Sequence, residues 1–391
     1  MPQPEDRKTE NTAAKGRVLS GMRPTGKLHL GNYVGALQNW VKLQDQYDCY
    51  FFVADWHALT TDYEDTSSVK ANTIEVATDW LAAGLDPARC VLFLQSHVPQ
   101  HAELHLLFSM ITPLGWLERV PSYKEQQENL ADKSLGTYGF LGYPLLQAAD
   151  ILMYLADFVP VGQDQVAHVE LTREVARRFN QFYWLPSRTR SGRLLHGAEV
   201  PEPKRVCVFP EPQPLLTPAA KLPGTDGRKM SKSYGNTITL SDPEPLVRQK
   251  LKTMVTDPAR VRRTDPGDPD VCPVGDLHKI FSDAQTMANV YQGCRSAGIG
   301  CIECKTWVAD NIMKVLNPIQ QRRRPYEQNP KLAWEVLEAG SARARLVAQE
   351  TIEKTREAMQ ISHTYEPPRA STADHPSKPK AALLGTPGSK Q

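Results

Sequence analysis

The sequence predicts an α/β protein: a parallel β-sheet covered by helices on both faces, followed by a second domain that is helical throughout. Three observations carry that prediction. Short β-branched and aromatic runs alternate with helical patterns through the first half, a strand runs into a glycine-containing turn and a helix near residue 30, and strands cease beyond Asp242. Alternation of this kind calls for crossover connections, which join parallel strands and place helices on both faces of the sheet.

Arg17–Met22, Cys49–Asp55 and Cys90–Ser96 read as buried strands, since each is a short apolar run without the period-two alternation of a half-exposed strand. Asn32–Gln46, Ser67–Ala83, Ala102–Ile111 and Pro144–Leu155 carry apolar residues at helical spacing. Residues 186–228 are proline-rich and aperiodic, which predicts a long surface loop. Pro243–Val255, Asp276–Gln292, Glu303–Leu316 and Lys331–Met359 again read as helices. Residues 1–15 and 363–391 are rich in Pro, Lys, Ser and Gln and are expected to be disordered tails. The expected organisation is an α/β domain over 16–240 and a helical domain over 241–362.

At 391 residues, 40% hydrophobic and 23% charged, the chain has the composition of an ordinary globular protein. No stretch approaches the roughly 20 apolar residues that cross a bilayer, and Met1–Lys15 lacks the apolar centre of a secretory signal. A cytoplasmic location follows as the expectation. A net charge of +2 neither requires nor excludes a nucleic-acid partner, because basic residues can gather on one face.

Two segments carry chemistry. Ser20–Asn32 leads from the first strand into the first long helix, the place where open α/β sheets bind nucleotides. Gly21, Gly26 and Gly31 would let the backbone approach a ligand, and the helix start offers free N–H groups to phosphate. His29 and Asn32, one turn apart, are placed to bond phosphate oxygens there. Taken alone, the segment is equally well a tight turn with a surface histidine. The second segment, Arg228–Ser233, follows Gly224 and Gly227. Its lysines and serines suit a triphosphate if the loop can swing over it, although a lysine run by itself is usually a solvated basic loop.

Together the segments resemble the two signatures of the class I aminoacyl-tRNA synthetases, in the family's order: His29-Leu30-Gly31-Asn32, then Lys229-Met230-Ser231-Lys232-Ser233. The resemblance runs from about Val18 to Met359 and is nearest to the tyrosine and tryptophan branch. It implies a Rossmann-like catalytic domain with a helical insertion at about 100–160, and an anticodon-binding role for the helical domain. It also implies catalysis by positioning and electrostatics through His29, Asn32, Lys229 and Lys232, with no protein nucleophile. ATP, with Mg2+, would be held by Arg23, Pro24, Thr25, Gly31 and Asn32, by Gly162, Gln163 and Asp164, and by Lys229, Met230, Ser231, Lys232 and Ser233.

Tyr143–Leu152 is similar to the pocket helix of the tryptophan-specific members. Asp150 would accept the indole N–H, with Gln147 beside it and Gln165 and Tyr143 at the substrate amino group. Leu19 stands where the tyrosine-specific members place a tyrosine. Gln147 is shared with those members, and Arg23 stands where tryptophan-specific ones commonly carry glutamine. The implied partners are L-tryptophan, ATP and tRNA(Trp), with a homodimer through Glu103–Leu117 and no membrane. His168 reads as structural.

Cys272, Cys294, Cys301 and Cys304 follow the spacing C-x21-C-x6-C-x2-C in a glycine-rich stretch. Four thiolates suit tetrahedral zinc or an iron–sulfur cluster. The spacing resembles a subset of bacterial tryptophan-specific members that hold a 4Fe-4S cluster, which implies that cluster here, with zinc, or thiols left free, as the alternatives. Arg260, Arg262, Arg263, Arg295, Lys305, Arg322, Arg323 and Arg324 are candidate phosphate contacts as a group.

Overall fold

The computed structural model describes residues 15–121, 123, 135–189, 194–196, 199–217 and 222–361. Apart from Lys15, the two predicted tails lie outside these residues. The central sheet has five parallel strands in the order β3-β2-β1-β4-β7: β1 (Arg17–Met22), β2 (Asp48–Val53), β3 (Cys90–Leu94), β4 (Phe158–Val161) and β7 (Gln213–Leu216). Two short strands, β5 (Ser187–Arg188) and β6 (Leu194–Leu195), form a separate antiparallel ribbon. The order reverses direction at the β1/β4 junction, and such a switch point opens a crevice at the carboxyl ends of the strands.

The helices are α1 (Leu30–Asn32, continued through a π-helical turn at Tyr33–Leu37 into Gln38–Leu43), α2 (Asp55–Asp62), α3 (Val69–Ala83), α4 (Gln100–Ser109), α5 (Leu114–Glu118), α6 (Tyr138–Met153) and α7 (Val166–Phe182). The second half supplies α8 (Glu244–Thr253), α9 (Pro273–Phe281), α10 (Ala284–Arg295), α11 (Cys301–Gln328) and α12 (Lys331–Ala358). Strands β4 and β7 differ from the sequence expectation. Each is four residues long and contains a proline, Pro160 or Pro214, so neither reads as a strand. The stretch expected to be a loop thus contains a strand of the main sheet.

Successive side chains of β2 enter opposite cores. Cys49, Phe51 and Val53 meet Trp40, Trp80, Val308 and Ile312 on one face. Tyr50 and Phe52 meet Phe93, Leu145, Phe179 and Ala348 on the other. Both cores therefore include residues of the carboxyl-terminal helices, and the packing is continuous across residue 240.

Helix α12 covers the exposed edge of β3. Ser341 Oγ accepts the Leu94 N–H at 3.1 Å, Arg343 donates to the Pro87 carbonyl at 2.8 Å, and Arg356 grips both Glu103 oxygens at 2.6 and 2.5 Å. This blunts an edge that would otherwise pair with another chain. The approach is so close that a Cβ on Gly340 would run into the Leu92 carbonyl oxygen. In a helix interior Gly→Ala ordinarily stabilises by roughly 0.5–1 kcal/mol. Here Gly340→Ala is expected to destabilise by about 1–3 kcal/mol through overpacking, measured by urea denaturation. A stabilised variant would show that the helix can lift from the strand without cost.

Candidate active site

A cavity of about 410 Å³ opens at the β1/β4 switch point. Its walls come from Leu19 to Met22 on β1 and Arg23 just beyond it, Phe52 on β2, and Val159 to Val161 on β4 with Gly162 following, together with Tyr143, Gln147, Asp150 and Ile151 from α6. Gln165, His57 and Thr60 also line it, as do Gly35, Ala36 and Trp40 of α1. Of the predicted substrate residues, Tyr143, Gln147, Asp150 and Gln165 all line this space, as do Arg23 and Gly162 from the predicted ATP set.

Asp150 sits at the cavity's inner wall with none of its surface exposed. The sequence suggested an acceptor waiting for a partner; the structure shows one already surrounded by donors. His101 Nδ1 lies 2.6 Å and Gln95 Nε2 2.8 Å from Oδ1, and His57 Nε2 lies 2.7 Å from Oδ2. Burial would raise the carboxyl pKa, but the hydrogen bonds from His101 and His57 outweigh it and hold the group below its ordinary value. Asp150 is thus a carboxylate inside an apolar wall. A carboxylate has about four lone-pair sites, so Oδ2 retains capacity for a further donor from the cavity. His57, His101 and Gln95 lay outside the sequence reading because no motif marks them.

The predicted phosphate-binding residues form a second group that does not line the cavity. His29 caps α1: its Nδ1 accepts the Asn32 N–H at 3.3 Å, while Asn32 Oδ1 accepts the His29 N–H at 3.1 Å. Burial, then the Lys232 ammonium, push the His29 pKa down to about 4. The ring is therefore neutral near pH 7, and since Nδ1 accepts, its proton sits on Nε2 as a donor. The glycines serve packing as much as approach. A Cβ on Gly21 would meet the Phe52 ring and one on Gly31 the His29 ring, while Gly26 has φ +97°.

The second segment lies directly against the first. Leu30 N–H donates to the Ile238 carbonyl and Leu240 N–H to the Leu28 carbonyl, both at 2.9 Å. Lys232 Nζ donates to the carbonyls of Thr25 (3.0 Å) and Gly26 (2.8 Å). Burial pulls the Lys232 pKa down to about 8, opposed by the charge of Asp79. Met230 is buried, whereas Lys229 and Ser233 face solvent and Ser231 is bonded to Ser233 at 2.9 Å. Pro24 is buried, and Gln163 and Asp164 are exposed. Arg23 is turned onto Thr61 and Asp62.

The four cysteines converge from three helix ends: Cys272 before α9, Cys294 in the last turn of α10, and Cys301 and Cys304 in the first turn of α11. Burial, then the other three cysteines, push Cys304 up to about 12. Arg260 donates to Cys294 Sγ at 3.6 Å, and His278 Nε2 lies 3.4 Å from Cys304 Sγ. Among the described residues, no three His, Cys, Asp or Glu side chains are already set as a ligand group. The basic group divides. Arg260, Lys305 and Arg323 are buried and bonded within the protein, which removes them from any phosphate surface. Arg262, Arg263, Arg295, Arg322 and Arg324 remain exposed.

Residues 11–317 match the profile of the family described as tRNA synthetases class I (W and Y). A tryptophan–tRNA ligase of Ralstonia nicotianae is 51% identical, covering 89% of this chain and 99% of that protein. One from Thermotoga maritima is 50% identical, covering 88% and 99%. The crystal structure of tryptophanyl-tRNA synthetase from Campylobacter jejuni, complexed with ADP and tryptophan, superposes with a TM-score of 0.75 at 32% identity, covering 88% and 99%. The chain belongs to the class I tRNA synthetases of the tryptophan and tyrosine family.

One residue shaping the second segment escaped the sequence reading. Buried Asn236 accepts the Ser231 N–H at 2.8 Å and donates to Asp226 at 2.6 Å and to the Lys229 carbonyl at 3.2 Å. A Cβ on Gly224 would collide with it. Removing such a buried hub costs about 1–3 kcal/mol, felt locally. Asn236→Ala should therefore speed tryptic cleavage at Arg228–Lys232 on the order of tenfold, with a smaller effect elsewhere. Unchanged cleavage kinetics would assign the loop's shape to other contacts.

Proposed function

We propose that this chain joins L-tryptophan to tRNA(Trp). The tryptophan carboxylate attacks the α-phosphorus of ATP, diphosphate leaves, and the tryptophanyl group then passes from the adenylate to the tRNA with release of AMP. One observation carries the choice of amino acid: a fully buried carboxylate, Asp150, lines a cavity that also presents apolar side chains. Leu19, Phe52, Ile151 and Val159 offer an indole apolar contact, and Asp150 offers its N–H an acceptor. A substrate without that donor leaves the acceptor less satisfied, a loss of about 1–3 kcal/mol.

Activation needs charge stabilisation on the leaving diphosphate. His29 Nε2–H and Lys232 Nζ stand together where the helix start and the second segment meet, and Lys229 is free to swing in from solvent. Mg2+ accompanies ATP and shields its phosphates. Lys232→Ala is expected to slow ATP–diphosphate exchange by orders of magnitude while leaving tryptophan Kd nearly unchanged. The sign of the pH effect follows from burial: with a pKa of about 8 the ammonium is intact below that pH and lost above it. Accordingly, kcat/KM for ATP should bend downward above pH 8 in the native enzyme, and Lys232→Arg should remove the bend. A bend that survives in the arginine variant would belong to another group.

The helical half is proposed to read the anticodon, with the exposed arginines of that half meeting phosphates. A second copy would cover the apolar surface of Leu106, Met110, Leu114 and Tyr138 to give a homodimer. No helix among the described residues is long and apolar enough to cross a membrane, and we place the enzyme in the cytoplasm.

The four cysteines brought together from three helix ends offer the thiol donors that a 4Fe-4S cluster takes, with the Arg260 guanidinium beside Cys294. Such a cluster would supply a covalent clamp between α9, α10 and α11. Zinc is the alternative. Anaerobically purified protein is expected to hold close to four iron and four sulfide per chain, and Cys301→Ser to impair tRNA charging more than ATP–diphosphate exchange. One zinc and no iron would decide for the alternative.

A further inference from the structure

Asp150 is held from behind by a chain of side chains that do not touch the cavity. Its Oδ1 receives His101 Nδ1 at 2.6 Å and Gln95 Nε2 at 2.8 Å. On the far side of the imidazole, His101 Nε2 lies 2.8 Å from the Tyr154 hydroxyl. His101, Gln95 and Tyr154 are completely buried, and none of them lines the cavity. Oδ2 is the oxygen paired with His57, which itself lines the cavity.

The proton positions follow from chemistry. An ionised carboxylate can only accept, so His101 Nδ1 must carry a proton. Burial raises the Tyr154 hydroxyl well above its ordinary pKa, so it stays protonated and can donate to Nε2. The sequence of donors is then Tyr154 O–H to His101 Nε2, and His101 Nδ1–H to Asp150 Oδ1. That arrangement fixes the tautomer and occupies one carboxylate oxygen, which turns the other towards the cavity. Without it Oδ1 would keep only the Gln95 donor, and the carboxylate would be held less firmly in its orientation.

We propose that His101, with its tautomer set by Tyr154, is a specificity-determining positioning residue: it aims Asp150 Oδ2 at the ring N–H of the substrate. The proposal rests on the tryptophan reading of the cavity. Its reach is different, because His101 would govern discrimination by ring N–H without touching the substrate.

The test compares tryptophan with β-(3-benzothienyl)alanine, in which sulfur replaces the ring N–H at nearly the same shape. The readout is the ratio of the two kcat/KM values in ATP–diphosphate exchange by the full-length enzyme. A merely structural role lowers both values together and leaves the ratio alone. His101→Leu is expected to cut the native ratio by at least about tenfold, equivalent to one hydrogen bond to a charged group. His101→Asn keeps a donor near the Nδ1 position and should restore the ratio to within about threefold of native. Tyr154→Phe, which removes one oxygen and frees the tautomer, should cut it by about threefold or more.

Folded His101→Leu and Tyr154→Phe proteins with the native ratio would overturn the proposal. If His101→Leu does not fold, Tyr154→Phe decides on the same criterion. A native enzyme that does not discriminate between the two amino acids would overturn the Asp150 reading itself, and the proposal with it. Native discrimination that survives in the variants would overturn the proposal alone.

Discussion

A carboxylate with no exposed surface stands between the sheet and the helices above it, and much of the site is arranged around keeping Asp150 ionised there. Moving an isolated carboxylate into an apolar interior costs several kcal/mol even after relaxation, so the charge persists only where donors are supplied. They come from three directions: His57 from α2, Gln95 from the end of β3, and His101 from α4. Each of these elements is pinned by the need to reach the same group on α6. The cavity wall is rigid because moving any one of them would leave a buried charge underpaired.

A second constraint joins the two halves of the chain. Leu28–Leu30 pairs with Ile238–Leu240, so the segment that starts α1 and the segment carrying Lys232 share backbone hydrogen bonds. Beneath them, fully buried Asp79 accepts the Leu28 N–H at 2.8 Å and is paired with Arg323, which reaches in from α11. Burial raises the Asp79 pKa to about 6, against the lowering effect of Arg323. Removing Arg323 would leave the Asp79 carboxylate with the Leu28 N–H alone, a loss of about 3–5 kcal/mol in buried pairs, whereas Arg323 is also paired with Glu75 and Glu327. The helix that begins at Cys301 is thus anchored next to the segment that starts α1, and both apolar cores run on into the carboxyl-terminal helices.

Much of the architecture was legible. The three longest strands and the principal helices follow from apolar runs and their period, and Asp150 stood out as one acid in an apolar helix. Strands β4 and β7 were hidden by Pro160 and Pro214. Their place in the sheet depends on neighbours already assembled rather than on local preference. The glycines of the first segment were visible as signals of close approach. What approaches Gly21 and Gly31, the rings of Phe52 and His29, was not.

By itself the sequence determined the class of fold, the order of the two signature segments, and the residue types at the candidate site. These depend on local period, turn chemistry and short spacings, all written along the chain. Tertiary structure alone decided that His101, Gln95 and His57 converge on Asp150, that Asn236 braces the second segment, and that α12 caps the edge of β3. It also decided which basic residues are buried: Arg260, Lys305 and Arg323 look like surface charges in the sequence but are held inside. The physical reason is the same in each case. Burial and pairing arise from contacts between residues tens to hundreds of positions apart, and no local pattern specifies which distant donor will meet a given acceptor.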